Sequence, residues 1–227
     1  MRKWISHHSA SERMPRHRHA DAYAAIVLAG GYIEAGDHGR MRVQPGDVVI
    51  HHAHEAHQDH FSKTGAVVLN LPSIEGLDAM TGRVPDPDVI ARLSERDIVG
   101  AIALLKETIQ PRDMRLLDWP DQLAAALAST LEFSIEQWAA QMRLAPQSIS
   151  RGFRQAYGVS PKRYRLEQRT LRAISNLRTW TGSLADLAAE SGFADQSHLT
   201  RAIVALTGLA PSRLKVKSVQ EEYSAHR

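Results

Sequence analysis

The second half of this 227-residue chain contains an internal repeat. The segment SIEQWAAQ at residues 134–141 recurs as SLADLAAE at residues 183–190, an offset of 49 residues. Two further pairs match at an offset of 50 residues: ISRGF at 149–153 with LTRAI at 199–203, and GVSP at 158–161 with GLAP at 208–211. A recurrence of this length indicates that one supersecondary unit is present twice.

Each copy of the repeat predicts two short helices. Ser134 and Ser183 are candidate N-caps, each followed three positions later by a side chain that can complete a capping box. A short break comes next, and the second helix begins near Pro146 in the first copy and at the N-cap candidate Asp195 in the second. Two helices joined by such a short turn form a helix-turn-helix.

The turn between the two helices favours a residue with a positive φ angle. The second copy has Gly192 at this position, and glycine adopts such an angle without strain. The first copy has Arg143, for which we expect a cost of about 1 kcal/mol.

The second helix of each copy offers an exposed polar surface with no carboxylate after the cap. On such a surface arginine can bond guanine bidentately, and glutamine can bond adenine. The predicted DNA-binding residues are Gln147, Ser148, Ser150, Arg151 and Arg154 in the first copy, and Gln196, Ser197, His198, Thr200 and Arg201 in the second. A helical bundle with a solvated basic surface is the alternative, but packing alone does not readily make two copies agree in cap, turn and exposed polarity.

Charge is distributed unevenly along the chain. Residues 1–133 contain 14 basic and 18 acidic side chains, whereas residues 134–227 contain 14 basic and 7 acidic ones. A basic half joined to a mildly acidic half indicates that one end of the chain meets a polyanion. Double-stranded DNA is therefore the predicted partner of the C-terminal half.

From about Trp119 to Lys215 the sequence resembles the AraC/XylS family of transcription regulators. The segment SLADLAAESGFADQSHLTRA at 183–202, completed by GLAP at 208–211, carries the resemblance. The resemblance implies a seven-helix domain whose two recognition helices enter successive major grooves, joined by a long helix beginning at Pro161. Family members often have basic residues where this chain has Val204 and Ala205, so the second unit is expected to hold phosphate less strongly.

Residues 1–72 are predicted to form strands. The runs AYAAIVLAG, MRVQPGDVVIH and GAVVLNLP are short and β-prone, and turn residues separate them at Gly30-Gly31, at 37–39 and at Pro45-Gly46. Several short strands of this kind suggest a small sandwich or barrel.

Residues 73–87 are rich in glycine and proline and are predicted to be a linker. After it the hydrophobic period changes to about 3.6 residues, which indicates a helix up to about Ile109. The predicted apolar stripe consists of Val89, Ile90, Leu93, Ile98, Ile102 and Leu105. Because a small β-domain would leave this stripe few places to bury itself, we expect it to form a homodimer contact.

Ten of the twelve histidines lie within the first 60 residues. His17 and His19 are two positions apart in a strand-like run, so their side chains share one face, and Tyr23 has the same parity. Pro45-Gly46 and His57 follow further along the chain.

Residues 10–72 resemble the cupin fold, and sensor domains of AraC/XylS regulators are often cupin-like. The resemblance implies metal ligation by His17, His19 and His57, with Tyr23 at the position of the usual glutamate ligand and near a bound effector. Three imidazoles suit Zn²⁺ best among the candidates, which include Ni²⁺, Fe²⁺ and Cu²⁺, and they leave one coordination position open. Four more histidines could supply another ligand or a second site: His51, His52, His54 and His60.

Two alternatives to a metal-sensing regulator remain open at this point. The histidines could line a pocket for a small organic effector without metal. A metal-dependent cupin enzyme with a helical assembly domain is also conceivable, since an open coordination position permits such chemistry. No general acid–base residue is evident beside the three histidines, so no catalytic residue is assigned and a non-enzymatic role is expected.

The sequence thus predicts an α+β multidomain protein. The expected parts are a cupin-like β-barrel over residues 1–84, linker helices over 85–117, an all-α double helix-turn-helix domain over 118–217 and a tail over 218–227. There is no cysteine, no long apolar run and no signal-peptide pattern at the N-terminus, so a cytoplasmic, nucleoid-associated protein without membrane contact is expected. RNA polymerase is a further candidate partner.

Overall fold

A computed structural model of the protein describes residues 4–72, 80–129 and 133–215. The chain forms two compact units, one comprising Met1–Asp121 with Ala156–Gly158 and the other comprising Gln122–Gln155 with Val159–Arg227. The first unit contains the sheet and the second is helical, which confirms the predicted α+β organisation. The predicted tail lies outside the described residues, as do residues 73–79 of the predicted linker.

The described residues of the first unit form one antiparallel sheet of eight strands. The strands are β1 (Ile5–His8), β2 (Arg13–Arg18), β3 (Tyr23–Gly36), β4 (Gly39–Val43), β5 (Asp47–His51), β6 (Ala56–Pro72), β7 (Thr81–Arg83) and β8 (Gln110–Pro111). Their order is β1-β6-β3-β5-β7-β8, with β2 paired to β6 and β4 paired to β3. The glycine- and proline-rich segment predicted as a linker therefore contributes a strand, since β7 pairs with β5.

The turn predicted at Gly30-Gly31 is wrong, because β3 continues through both residues. The pairing of β3 with β6 is irregular here, with register shifts between Val27 and Ala29 and between Gly30 and Tyr32. Gly30 has a φ of 71°, and a Cβ added to it would lie 2.1 Å from the carbonyl oxygen of Gly65. Glycine therefore permits a bulged strand to pass close to its neighbour instead of reversing direction.

Side chains alternate along β3 between two apolar cores. Ala24 and Ile26 belong to a core that also contains buried residues of the neighbouring helices. Ala25 and Val27 point to the other face, where they pack in a core with Met41 and Phe61. Because successive residues of a strand face opposite ways, this one strand supports both cores.

Two helices cover the first of these cores: α1 (Pro87–Ser94) and α2 (Ile98–Thr108). Asp86 and Asp97 cap them by accepting hydrogen bonds from backbone amides. Two residues of the predicted stripe, Ile90 and Leu105, are buried in the core, and three more pack partly buried against it: Leu93, Ile98 and Ile102. The expectation that the stripe has few places to bury itself is thus corrected, because the sheet covers most of it; only Val89 is exposed.

The remaining named helices are α3 (Trp119–Ser129), α4 (Ile135–Gln141), α5 (Pro146–Tyr157), α6 (Pro161–Leu177), α7 (Leu184–Glu190) and α8 (Gln196–Thr207). A further helical segment occupies residues 211–215. The predicted helical character of the region after Asp118 is confirmed. Among the described residues, no helix is both long enough and apolar enough to cross a membrane.

Candidate functional site

Helices α4 and α5, and α7 and α8, form the two predicted helix-turn-helix units. Ser134 caps α4 by accepting a hydrogen bond from the backbone N–H of Gln137 at 3.2 Å. Ser183 and Asp186 cap α7 reciprocally in a complete capping box. Asp195 caps α8 by accepting from the backbone N–H of His198 at 2.7 Å. The N-caps predicted from the repeat are therefore confirmed.

Each unit buries one face of its second helix. In the first unit Ile149 and Phe153 of α5 are 1% and 0% exposed. In the second unit Leu199 and Ile203 of α8 are fully buried in a core with residues of α6 and α7. Because residues four apart lie on the same side of a helix, burying these pairs fixes which side chains face outward.

The opposite faces of α5 and α8 carry the predicted DNA-binding residues. All five of the first unit are exposed, and so are Gln196, Ser197 and Arg201 of the second. His198 and Thr200 are half-buried, and the ring of His198 packs edge-on against Phe193 with 5.2 Å between ring centroids. His198 is therefore partly a packing residue, which the sequence pattern did not indicate.

Helix α6 carries basic side chains, and one of them, Arg169, contacts the second helix-turn-helix unit. Nη1 of Arg169 donates to the carbonyl oxygen of Gly192 at 2.6 Å, and its guanidinium lies 5.8 Å from the ring centroid of Phe193. Burial, together with the nearby charges of Arg165 and Arg172, lowers the pKa of Arg169. Arg169 thus ties α6 to the turn of the second unit and adds positive potential beside it.

The three predicted metal-binding histidines converge in the other part of the chain, the compact unit that contains the sheet. Nε2 of His19 lies 3.0 Å from Nε2 of His17 and 3.1 Å from Nε2 of His57. The hydroxyl of Tyr23 lies 3.2 Å from Nε2 of His19 and 3.1 Å from Nε2 of His57. The register of β2 on β6 places His17 directly opposite His57, and His19 follows immediately after β2. These three histidines and Tyr23 are called the outer cluster below.

The ring nitrogens facing away from the outer cluster have partners of their own. Nδ1 of His17 lies 2.9 Å from the carbonyl oxygen of Pro15, and Nδ1 of His57 lies 3.0 Å from Oδ1 of Asp59. When these Nδ1 atoms donate their protons, the Nε2 lone pairs are free to point into the cluster. Such outward partners set the tautomer and the orientation of histidines that bind metals.

The electrostatic environment keeps His19 neutral at neutral pH. Burial and the nearby charges of His57 and His17 lower the pKa of His19 to about 4. Burial acts to lower the pKa of His57 as well, but the carboxylates of Glu34 and Asp59 outweigh it and raise that pKa to about 9. The outer cluster therefore combines a neutral imidazole with one that attracts a proton or another cation.

A second group of buried polar side chains lies next to the outer cluster, and sequence reasoning assigned only one of its members. Glu34, His51 and Asp59 are 2%, 4% and 7% exposed. Glu34 and Asp59 are cross-strand partners on β3 and β6, and the His51 ring stacks on Tyr23 with 4.5 Å between centroids. We call Glu34, His51 and Asp59 the inner cluster.

Of the other histidines considered as extra ligands, His51 alone joins these clusters. Nε2 of His52 lies 3.2 Å from the sulfur of Met80, whereas His60 is exposed on β6. The sequence could have indicated part of the inner cluster, because acidic residues such as Glu34 and Asp59 are rare inside buried strands. Their proximity depends on the β3–β6 register, which the pattern of residues does not specify.

Comparisons with known proteins agree with the helix-turn-helix geometry. A family model described as a helix-turn-helix domain matches residues 138–216. The arabinose operon regulatory proteins of Salmonella typhimurium and Escherichia coli are each 28% identical to this chain over 163 residues. The alignments cover 71% of this chain and 55% and 53% of those relatives, so the chain spans about half of their length. The chain is therefore similar to these regulatory proteins, and its C-terminal region matches the helix-turn-helix family model.

The solved structures similar to this chain include ToxT and the DNA-binding domain of AdpA. ToxT from Vibrio cholerae O395 has a TM-score of 0.41 and 13% identity, covering 94% of this chain and 96% of its own. The DNA-binding domain of AdpA in complex with a target DNA has a TM-score of 0.40 and 25% identity, covering 49% and 97%. Both TM-scores are low, so these two structures support no conclusion about this chain. Both curated relatives are named as regulatory proteins.

Proposed function

We propose that this protein is a sequence-specific DNA-binding transcription regulator. The observation that carries the proposal is the matched surface of α5 and α8. Each helix buries its apolar pair and exposes hydrogen-bonding side chains, including Arg151 in one helix and Arg201 in the other. A two-fold repeated reading surface suits two successive contacts with the DNA major groove.

The proposal is tested by selecting binding sites for the full-length protein from random double-stranded DNA. We expect the selected fragments to share two short conserved segments about 10 base pairs apart, because successive turns of the major groove are that far apart on one face. Enrichment of no sequence, with weak binding to all fragments alike, would contradict the proposal.

We propose further that the sheet unit holds a divalent transition metal on His17, His19 and His57. Two ligands bound at about 2.1 Å are about 3.0–3.4 Å apart when their angle at the metal is 90–109°. The measured Nε2–Nε2 distances of 3.0 and 3.1 Å fall in this range. Zn²⁺ is the first choice, and Fe²⁺, Ni²⁺ and Cu²⁺ suit the same nitrogen ligands.

Tyr23 is proposed to face the open position beside these three nitrogens. Burial raises the pKa of its hydroxyl well above the ordinary value, so the group stays protonated and can donate a hydrogen bond. A water molecule or a small effector with an oxygen acceptor would suit that donor. The outer cluster would thereby supply both the metal and a polar contact for a sensed ligand.

Regulation is proposed to work by population shift. A metal ion or effector that binds one arrangement of the protein more tightly favours that arrangement. The resulting change in DNA affinity is limited by the difference between the affinities of the metal or effector for the two arrangements. We expect the affinity of the full-length protein for its selected DNA to differ between metal-loaded and chelator-treated samples. Identical affinities, with metal demonstrably bound in one sample, would assign the metal a structural role instead. A homodimer and contact with RNA polymerase remain further parts of the proposal.

A further inference from the structure

One arginine of α6 contacts the turn between α7 and α8 in two ways. Nη1 of Arg169 donates to the carbonyl oxygen of Gly192 at 2.6 Å, and the guanidinium lies 5.8 Å from the ring centroid of Phe193, close enough for attraction to the ring face. Gly192 has a φ of 73°, and the backbone N–H of Phe193 donates to the carbonyl oxygen of Ala188 at 2.8 Å. The turn is therefore held by α7 on one side and by α6 on the other.

The ring of Phe193 connects this turn to the beginning of α8. Phe193 is 5% exposed and packs in the core of the second helix-turn-helix unit. Its ring lies edge-on to the ring of His198, with 5.2 Å between centroids and an interplanar angle of 84°, an arrangement that aromatic pairs prefer. The backbone N–H of His198 donates to the cap residue Asp195 at 2.7 Å. Gln196 and Ser197 lie between Asp195 and His198 in the chain, so the same contacts hold these two predicted DNA-binding residues.

The first helix-turn-helix unit has a different residue at the position of Phe193. Leu144 stands there, at the repeat offset of 49 residues. A leucine side chain offers no π face to a guanidinium and no ring to a histidine. Arg165, one turn earlier on α6 than Arg169, donates from Nη1 to the carbonyl oxygen of Phe133 at 3.0 Å, just before α4. Loss of the Arg169 contacts should therefore affect α8 and spare α5.

Arg169 occupies this position at an electrostatic cost. Burial and the nearby charges of Arg165 and Arg172 act against a positive charge here. Nε of Arg169 is also buried without a hydrogen bond to the described part of the chain. An arginine that only added charge to the surface could extend into solvent and avoid this cost. Its position against the turn indicates that the contacts with Gly192 and Phe193 outweigh the cost.

We propose that Arg169 is a positioning residue that orients α8 for base reading and thereby sets the sequence preference of the second helix-turn-helix unit. This inference rests on the proposed function. Binding side chains must be held within about 0.5 Å of their productive positions, so a small rotation of α8 would weaken discrimination between bases. Contacts with phosphate carry no sequence information and would keep much of the general affinity. Loss of the Arg169 contacts should therefore reduce preference at one DNA segment more than it reduces binding.

The test measures affinities of the full-length protein for three DNA fragments: the selected fragment and two derivatives, each with one of the two conserved segments scrambled. The segment read by α8 is the one at which Arg201→Ala loses its preference. Arg169→Met removes the charge and the donors but keeps a long side chain. We expect its preference for the α8 segment to fall about tenfold, the discrimination that one good base contact provides. Its preference for the other segment should be unchanged.

Two further variants separate positioning from charge. Phe193→Leu keeps every charge, leaves an apolar side chain in the core and gives the second unit the residue type found in the first unit at Leu144. It should also reduce the preference for the α8 segment. Arg172→Ala is the matched control, because it removes one positive charge from a half-buried arginine of the same helix. It should leave the preferences for both segments unchanged.

Reduced preference for the α8 segment in both Arg169→Met and Phe193→Leu would support the inference. If either variant keeps the original preference while the original chain selects both segments, the inference is wrong and the proposed function stands. An original chain that prefers no sequence would refute both. Circular dichroism shows whether the helices of each variant are intact; if Arg169→Met is unfolded, the result with Phe193→Leu decides alone.

Discussion

Arg143 and Gly192 occupy the same turn position in the two repeat units, and both have a left-handed backbone, with φ of 54° and 73°. The hydrogen bonds that follow are also equivalent. The backbone N–H of the residue after each of them donates to the carbonyl oxygen of an alanine five residues earlier, Ala139 at 2.9 Å or Ala188 at 2.8 Å. The turn geometry is therefore conserved between the units although only one has the residue suited to it.

Replacing Arg143 with glycine should stabilise the helical unit by about 0.5–1 kcal/mol. The left-handed conformation costs a residue with a Cβ about 1–2 kcal/mol, and the greater freedom of glycine in the unfolded chain cancels part of that gain. Urea unfolding monitored by circular dichroism measures the difference. Gly192→Ala is the reciprocal control and should destabilise the unit. An Arg143→Gly variant less stable than the original chain would refute the strain argument.

Arg151→Ala and Arg201→Ala should each weaken binding to a selected DNA fragment by about 1–3 kcal/mol. Both guanidinium groups are exposed at matched positions of α5 and α8. Fluorescence titration of labelled fragments measures the loss, and Arg96→Ala, an exposed arginine after α1, serves as the control. If both variants bind as tightly as the original chain, these residues do not belong to the recognition surface.

DNA binding should weaken steeply with salt. Each phosphate contact contributes about −0.9 to the slope of log affinity against log salt concentration. Val204 and Ala205 are exposed at the end of α8, where added lysines could reach phosphate. The double variant Val204→Lys with Ala205→Lys should therefore bind more tightly and show a steeper slope, with little change in sequence preference. A slope near zero for the original chain would contradict the electrostatic argument.

Removing metal should lower the melting temperature of the sheet unit. A ligand at 100 times its dissociation constant stabilises the folded state by about 2.7 kcal/mol, and a chelator abolishes this contribution. Differential scanning fluorimetry with and without chelator measures the shift. The double variant His17→Ala with His19→Ala should show no shift, while His60→Ala, an exposed histidine of β6, should behave as the original chain. An equal chelator effect in the double variant would mean that the stabilising metal binds elsewhere.

The predicted homodimer contact is best tested at the exposed residue of the apolar stripe, because the other residues of the stripe pack against the sheet. Val89 is 39% exposed, whereas Leu93 packs against the core of the sheet unit. Val89→Asp should lower the sedimenting mass of the protein while leaving its melting temperature almost unchanged. Analytical ultracentrifugation measures the mass. An original chain that sediments as a monomer at high concentration would rule out the dimer.

The sequence by itself determined the helical half of this protein. Its signals are local: the caps at Ser183 and Asp195, the turn glycine at 192 and the four-residue spacing of buried positions. The repeat means that a similar pattern occurs in both copies. Interactions within a helix-turn-helix connect residues that are near one another in the chain. Their pattern can therefore be recognised without a tertiary structure.

The tertiary structure alone decided how the sheet unit brings its polar residues together. Strand parity puts His17 and His19 on one face, but His57 is 40 positions from His17 and meets it only through the β2–β6 register. The register of β3 on β6 likewise joins Glu34 to Asp59, and the bulges near Gly30 that set it involve a carbonyl of the facing strand. A shift of one residue would turn these side chains to the opposite face, and local sequence does not specify which register forms. For the same reason the apolar stripe after residue 87 could be recognised as helical, whereas its packing on the sheet could not.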